Sequence, residues 1–190
     1  MVERKTTYPI DEQFTSRWSP RAMTGEELDD KQLLALFEAA RWAPSSYNNQ
    51  PWRFLYAKRN TKQWDDLFGL MVEFNQSWAK DASALVVVVS KKTFDFNWQP
   101  CVTHSFDTGA AWMSLALQAT KQGLVTHGMQ VFDYDKAKKV LNVPEDYNVE
   151  AMIAIGRQGK KEDLPKELQE KEELSDRKPL AEIAWEGGFK

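Results

Sequence analysis

Three groups of residues have types and spacings that could do chemistry. In Arg17-Trp-Ser-Pro-Arg21 two guanidiniums flank Ser19. A turn or helix brings i, i+4 residues to one side. Two planar forks with a hydroxyl between them suit phosphate oxygens; the bland alternative is a pair of solvated arginines. The second group lies within residues 41–54. Pro44 stops the preceding helix, because a residue before proline is pushed out of the α region, and Pro51 closes the loop. Between them Ser45, Ser46, Asn48, Asn49 and Gln50 carry groups that both donate and accept hydrogen bonds. Such a stiff, neutral, polar loop edged by aromatics suits a flat heterocycle, although it also reads as an ordinary Ser/Asn turn. The third group is His127-Gly128-Met129 at the end of a short apolar run. Gly128 permits close approach of the backbone to a ligand, while His127 alone also reads as a core histidine with satisfied nitrogens.

These groups need elements to hold them. Asp29 or Asp30 can cap a helix whose apolar face is Leu33, Leu34, Phe37 and Ala40. Trp52, Phe54 and Tyr56 alternate with Arg53 and Leu55, the period of a strand over residues 52–58. Residues 60–80 read as one or two helices with Trp64, Leu67, Phe68 and Met71 on one side and Trp78 in the core. The unbroken β-branched run at 84–89 is a central strand buried on both faces. Phe94, Phe96 and Trp98 in the 91–100 segment show no period and could overhang a pocket or simply cover the core. Residues 107–122 form the most apolar helix, suited to a domain centre or a subunit interface, with Gly123 as its stop. Asp133 caps a short helix through Leu141, and residues 150–156 make a second buried strand. The charge-rich stretch 160–173 reads as a solvated helix or tether, and the first 11 residues as polar and frayed.

The chain has 190 residues, 42% apolar and 28% charged, with net charge −3. That is one domain's worth of soluble, globular composition, with no global pull toward nucleic acid or anionic membrane. The lone Cys101 excludes an intrachain disulfide framework and a multi-cysteine zinc site. The longest apolar run is too short to span a bilayer, and nothing at the N-terminus reads as a signal peptide. The expected setting is reducing and cytoplasmic. No glycine-rich nucleotide cradle, nucleophile elbow or His-Glu-x-x-His pattern occurs, so no side chain is singled out as catalytic and no metal is expected.

The order Arg-x-x-Pro-Ser-Ser-x-Asn-x-Gln-Pro-Trp-Arg-Phe over residues 41–54 resembles the signature loop of the FMN-dependent nitroreductase superfamily. Arg17-x-Ser-x-Arg21 is similar to that family's phosphate-holding segment. The run 123–133 resembles a segment whose backbone lies against the flavin ring, with Val131 where the family usually has glycine. Arg177-x-Pro-Leu-x-Glu182 is similar to the C-terminal segment whose arginine joins the phosphate clamp, and Arg157 is a second candidate. The resemblance implies an α+β fold over residues 1–190, with a central, mainly antiparallel sheet flanked by helices in an intertwined homodimer. It implies FMN held by Arg17, Ser19, Arg21 and Arg177 or Arg157 at the phosphate. Pro44, Ser45, Ser46, Asn48 and Gln50 would line the ring, with His127, Gly128 and Met129 approaching it from the other chain. The tail to Lys190, with Trp185 as an anchor, would wrap around the partner. Expected partners are NAD(P)H and an electron-poor small molecule such as a nitroarene or quinone. A dehalogenating or flavin-cleaving relative and a non-enzymatic flavin carrier or redox sensor are the competing readings.

Overall fold

The computed structural model describes residues 4–189. Its centre is a four-stranded sheet in the order β1-β2-β4-β3. The strands are β1 (Trp52–Lys58), β2 (Ala84–Lys91), β3 (Val125–Met129) and β4 (Tyr147–Gly156). All three pairings are antiparallel. Helices cover both faces, and the period of two along each strand decides which residue meets which helix. In β2, Ala84, Val86 and Val88 pack on α2 (Asp30–Arg41) and α5 (His104–Lys121), together with Leu33, Leu36, Leu115 and Ala119. Leu85, Val87 and Val89 point the other way. They meet Leu67 of α3 (Lys62–Phe68), Trp78 of α4 (Glu73–Ala79) and Ala137 of α6 (Tyr134–Val140). Every residue of β2 is therefore buried, as its unbroken apolar run requires.

The helix ends follow local chemistry. The Asp29 carboxylate accepts from the Gln32 amide at 2.7 Å and the Asp133 carboxylate from the Lys136 amide at 2.8 Å, two N-caps. Two expectations shift. Leu34 is 51% exposed and Leu36 occupies the core instead, because the buried stripe of α2 runs through 33, 36 and 40. The stretch 160–173 is no solvated tether: Leu164 and Leu168 enter the core beside α7 (Lys166–Gln169), and Glu172 is buried. α5 begins at His104 and β4 at Tyr147, three residues earlier than the apolar patterns mark.

The short helix α1 (Gln13–Ser16) leads into the arginine segment, which is fastened to the sheet at several points. The Gly159 amide donates to the Ala22 carbonyl at 2.9 Å, and a Cβ on Gly159 would sit 2.9 Å from Met23 backbone, so only glycine fits this approach. The buried Glu172 accepts from the Arg21 and Ala22 amides at 2.7 and 2.9 Å. His127 bridges from Nδ1 to the Pro20 carbonyl over 3.1 Å and packs on Trp78.

Burial, and then the neighbouring Arg21 guanidinium, lower the His127 pKa from 6.5 to about 4. A neutral ring facing a carbonyl must present its N–H, so Nδ1 donates and the tautomer is fixed. The unfolded chain takes up this proton near pH 6.5 and the folded chain only near 4. Stability from this site is thus complete above pH 6.5 and falls as pH drops through that window, by about 3 kcal/mol at its lower end. Proton NMR should show the His127 ring unchanged down to pH 5, and His127→Gln should flatten the acid limb of urea-unfolding stability. A His127 resonance titrating near 6.5 contradicts this placement.

Candidate functional site: a cationic cleft beside the central helix

A cleft of about 500 Å³ opens between the arginine segment, the C-terminal tail and α5. Arg17, Ser19 and Arg177 form its polar end, while Trp112, Met113 and Gly128 supply apolar and backbone wall. The Arg17 guanidinium donates to the Ser19 hydroxyl at 3.2 Å. Burial, followed by the charges of Arg177 and Arg4, lowers the Arg17 pKa from its ordinary value. Among the described residues no carboxylate closes an ion pair with Arg17 or Arg177. Within the described residues the positive charge of the cleft is therefore not neutralised by an ion pair.

Arg4 explains how the two arginines stay together. Its guanidinium donates to the carbonyls of Thr15 and Arg17 at 2.9 and 2.7 Å and to that of Ser175 at 3.0 Å. It thereby stitches the segment bearing Arg17 to the segment bearing Arg177. Arg177 in turn donates to the Ser175 hydroxyl and the Asp176 carbonyl. The N-terminal residues read as frayed include this clamp; residues 1–3 lie outside the described chain. Nothing in a lone Arg4 among polar neighbours marked it in the sequence.

The other residues singled out from the sequence divide between places. Arg21 lies outside the cleft wall, its guanidinium 3.9 Å from Glu172. Arg157 pairs with Glu26 at 3.1 Å, also outside the wall, so Arg177 is the C-terminal arginine that stands beside Arg17. In β3, strand alternation turns Gly128 toward α5 and the cleft. It sends the side chains of His127 and Met129 to the opposite face, opposite Ala154 and Met152 in the core. A Cβ on Gly128 would lie 3.5 Å from the Trp112 ring, so its absence leaves the strand backbone open beside the indole.

The loop from Pro44 to Gln50 does not line this cleft within one chain. It sits at the start of α5, where the Asp107 carboxylate accepts from the Ser46 amide at 3.0 Å. Tyr47, Asn48 and Gln50 all have φ near +50°, in the left-handed region that non-glycine residues seldom adopt. The Ser45 hydroxyl accepts from the Gln50 amide, and Asn49 bonds both the Thr93 carbonyl and the Asp95 amide. Tyr47, 82% exposed, meets Phe94 and Phe96 with ring centroids 5.6 and 5.8 Å away. The aromatic 91–100 segment is thus a brace for this loop, closed by a Thr93–Pro100 bridge. The left-handed backbone of this loop is thus held from several sides, through Asp107, Ser45, Asn49 and the aromatic segment.

The cleft fits a phosphorylated flavin: two guanidiniums and a hydroxyl answer a phosphate dianion, and an indole with an open strand edge answers a planar ring. Among the described residues no group of His, Cys, Asp or Glu could hold a metal ion, and no helix is long and apolar enough to cross a membrane.

Comparison with known proteins bears on the fold and the family. The nitroreductase family model matches residues 14–87 and 57–157. A crystal structure described as an oxidoreductase containing FMN is 43% identical, covers 100% of this chain and 99% of its own, and superposes with a TM-score of 0.95. A protein of Archaeoglobus fulgidus with the provisional name NADH dehydrogenase/NAD(P)H nitroreductase is 24% identical over 147 residues, 74% of this chain and 80% of that one. The major NAD(P)H-flavin oxidoreductase of Aliivibrio fischeri is 28% identical over 91 residues, 46% of this chain and 42% of its own. With its α+β architecture, antiparallel sheet and matched sequence over most of its length, the chain belongs to the nitroreductase family.

Proposed function

We propose that this chain is a single-domain FMN-dependent oxidoreductase. It passes reducing equivalents from NAD(P)H to a small electron-poor acceptor such as a nitroarene or quinone. The observation that carries the reading is the unneutralised Arg17–Ser19–Arg177 end of the cleft, which asks for an anion of phosphate chemistry beside an aromatic wall. The relatives' names supply the rest: one contains FMN, and others act as NAD(P)H nitroreductase or flavin oxidoreductase. Bound FMN supplies two-electron redox chemistry, and the protein binds and orients it and shields it from water. Arg17 and Arg177 hold the phosphate, the Ser19 hydroxyl takes a further oxygen, and the Gly128 backbone and Trp112 position the ring. With one cysteine, Cys101, and so no intrachain disulfide, the chain suits a reducing, cytoplasmic setting.

The site is completed by a second copy. Phe106 and Val102 are 82% and 90% exposed at the start of α5, with Met113 further along the same helix. Ile183 and Phe189 of the tail are 60% and 91% exposed. Apolar groups left open in this way ask for a partner surface. A homodimer packed on α5 would bring the strained Pro44–Gln50 loop of one subunit to the cleft of the other, with Ser45, Ser46, Asn48 and Gln50 edging the ring. Arg21 and Arg157 would then serve the frame of the site.

Purified protein should be yellow and lose its colour when NADH or NADPH is added without oxygen. A charge-assisted hydrogen bond contributes about 2 kcal/mol, so Arg177→Ala should weaken FMN retention ~30-fold, while Arg157→Ala should leave it within a factor of two or so. Equal retention in both variants contradicts the phosphate assignment. Sedimentation should give a dimer, and Phe106→Glu, which places a charge on that apolar face, should give a monomer without pigment. A wild-type monomer that keeps its flavin contradicts the shared site.

A further inference from the structure

Among the described residues only two carboxylates are buried, Asp107 at 4% exposed and Glu172 at 7%. A buried carboxylate is costly unless donors meet it. Close cations do not supply them. Among the described residues Asp107 has no ion pair, and the Arg21 guanidinium stands 3.9 Å from Glu172, beyond hydrogen-bond range. Backbone amides answer both acids instead. Glu172 Oε1 accepts from the Arg21 and Ala22 amides at 2.7 and 2.9 Å, and its Oε2 has no hydrogen-bond partner. Asp107 Oδ2 accepts from the Ser46 amide at 3.0 Å and the Thr103 hydroxyl at 3.2 Å. Bonds to an ionised acceptor are stronger than neutral ones. Asp107 also lies in the first turn of α5, where the helix dipole favours an anion.

The two acids hold different pieces of chain. Glu172 follows α7, whose Leu168 is fully buried, and Arg177 lies five residues further on. Its bonds therefore tie the segment bearing Arg17 and Ser19 to the segment bearing Arg177. They do so from behind. Arg17 and Ser19 face the cationic cleft, whereas Trp18, Ala22 and Glu172 line a separate cavity of about 470 Å³. Ala22 is fixed at both ends, since its carbonyl takes the Gly159 amide. Asp107 instead holds the amide just before Tyr47 and Asn48, the loop residues at φ 51° and 52°.

We propose that Glu172 and Asp107 are positioning residues, each for one half of the cofactor. Glu172 sets the phosphate half through the arginine segment, and Asp107 sets the ring half through the Pro44–Gln50 loop. The assignment rests on the reading that Arg17 and Arg177 take the FMN phosphate and that the loop edges the ring. Loss of Glu172 then removes the advantage that the phosphate confers and leaves the ring contacts in place. Loss of Asp107 loosens the ring and leaves the phosphate advantage intact. A carboxylate kept for stability alone gives no such split, because general loosening weakens both halves together.

The test is competition on the full chain. Protein is equilibrated with mixtures of FMN and riboflavin, and the bound flavins are separated and quantified. Their ratio reads the phosphate half, and total occupancy reads the whole site. Glu172→Ala should cut the FMN-to-riboflavin ratio about ten-fold, the affinity of roughly one charge-assisted bond. Glu172→Gln keeps an acceptor oxygen and should stay within about three-fold of the wild-type ratio. Asp107→Ala should lower affinity for both flavins about ten-fold at an unchanged ratio. Should an alanine variant not fold, Glu172→Asp and Asp107→Ser withdraw the acceptor with less change in volume and carry the same expectation. Variants at both positions that weaken the two flavins alike overturn the division, and so does a Glu172→Gln protein as defective as Glu172→Ala. A wild type without preference for FMN counts against the phosphate reading itself. A wild type that prefers FMN, with variants that do not split, counts against this inference alone.

Discussion

Arg17 and Arg177 face one cleft, neither of them ion-paired with a carboxylate among the described residues, and the rest of the structure accommodates that charge. Two like charges in a partly buried place repel, and only contacts elsewhere keep them together. Here the contacts are identifiable. Arg4 ties the two segments through three carbonyls, Glu172 grips the Arg21 and Ala22 amides, Gly159 admits the Met23 backbone, and His127 anchors Pro20. Each holds backbone, while the Arg17 and Arg177 guanidiniums bond only neutral groups, the Ser19 and Ser175 hydroxyls and nearby carbonyls, among the described residues. A protein selected for stability alone would place an acid there.

The sheet divides labour between its faces. One face packs α3, α4 and α6 into a core that includes Trp78, Met129 and Met152. The other packs α2 and α5, and along it Gly128 and Trp112 line both the cationic cleft and a smaller cavity that Glu150 also edges. Antiparallel pairing makes the division strict, because a step of one residue moves a side chain to the other face. A β-bulge at Glu150, where Val88 pairs with Ala151 but Val89 with Val149, is the one place where β2 and β4 depart from that rule. α5 links the parts: its inner side is core, its middle lines both cavities, and its apolar start is exposed.

Much of this was legible in the sequence where local physics decides. The run 84–89 can only be a strand buried on both sides, and Asp29 and Asp133 sit where a helix needs an acceptor. Pro44 and Pro51 frame a loop whose polar side chains turn out to stabilise a left-handed backbone. What escaped depends on distant partners. Leu34 and Leu36 differ only in which neighbour α2 meets. The bulge that turns Glu150 is a property of pairing with β2, and no single strand announces it. Arg4 acts through carbonyls at Thr15, Arg17 and Ser175, a contact across the whole chain. The resemblance put Arg17, Arg21 and Arg177 at the phosphate, with Arg157 as a second candidate; in the structure Arg17 and Arg177 face a cleft, whereas Arg21 and Arg157 answer Glu172 and Glu26.

The central claim is that the cleft's positive charge exists for a ligand phosphate, and comparing FMN with riboflavin tests it most directly. Titrating flavin-free protein with each should give FMN an affinity at least a hundred-fold higher, since the two differ only in the phosphate and two charge-assisted contacts contribute about 3–6 kcal/mol together. The gap should narrow as salt is added. Equal affinities for FMN and riboflavin would contradict the account.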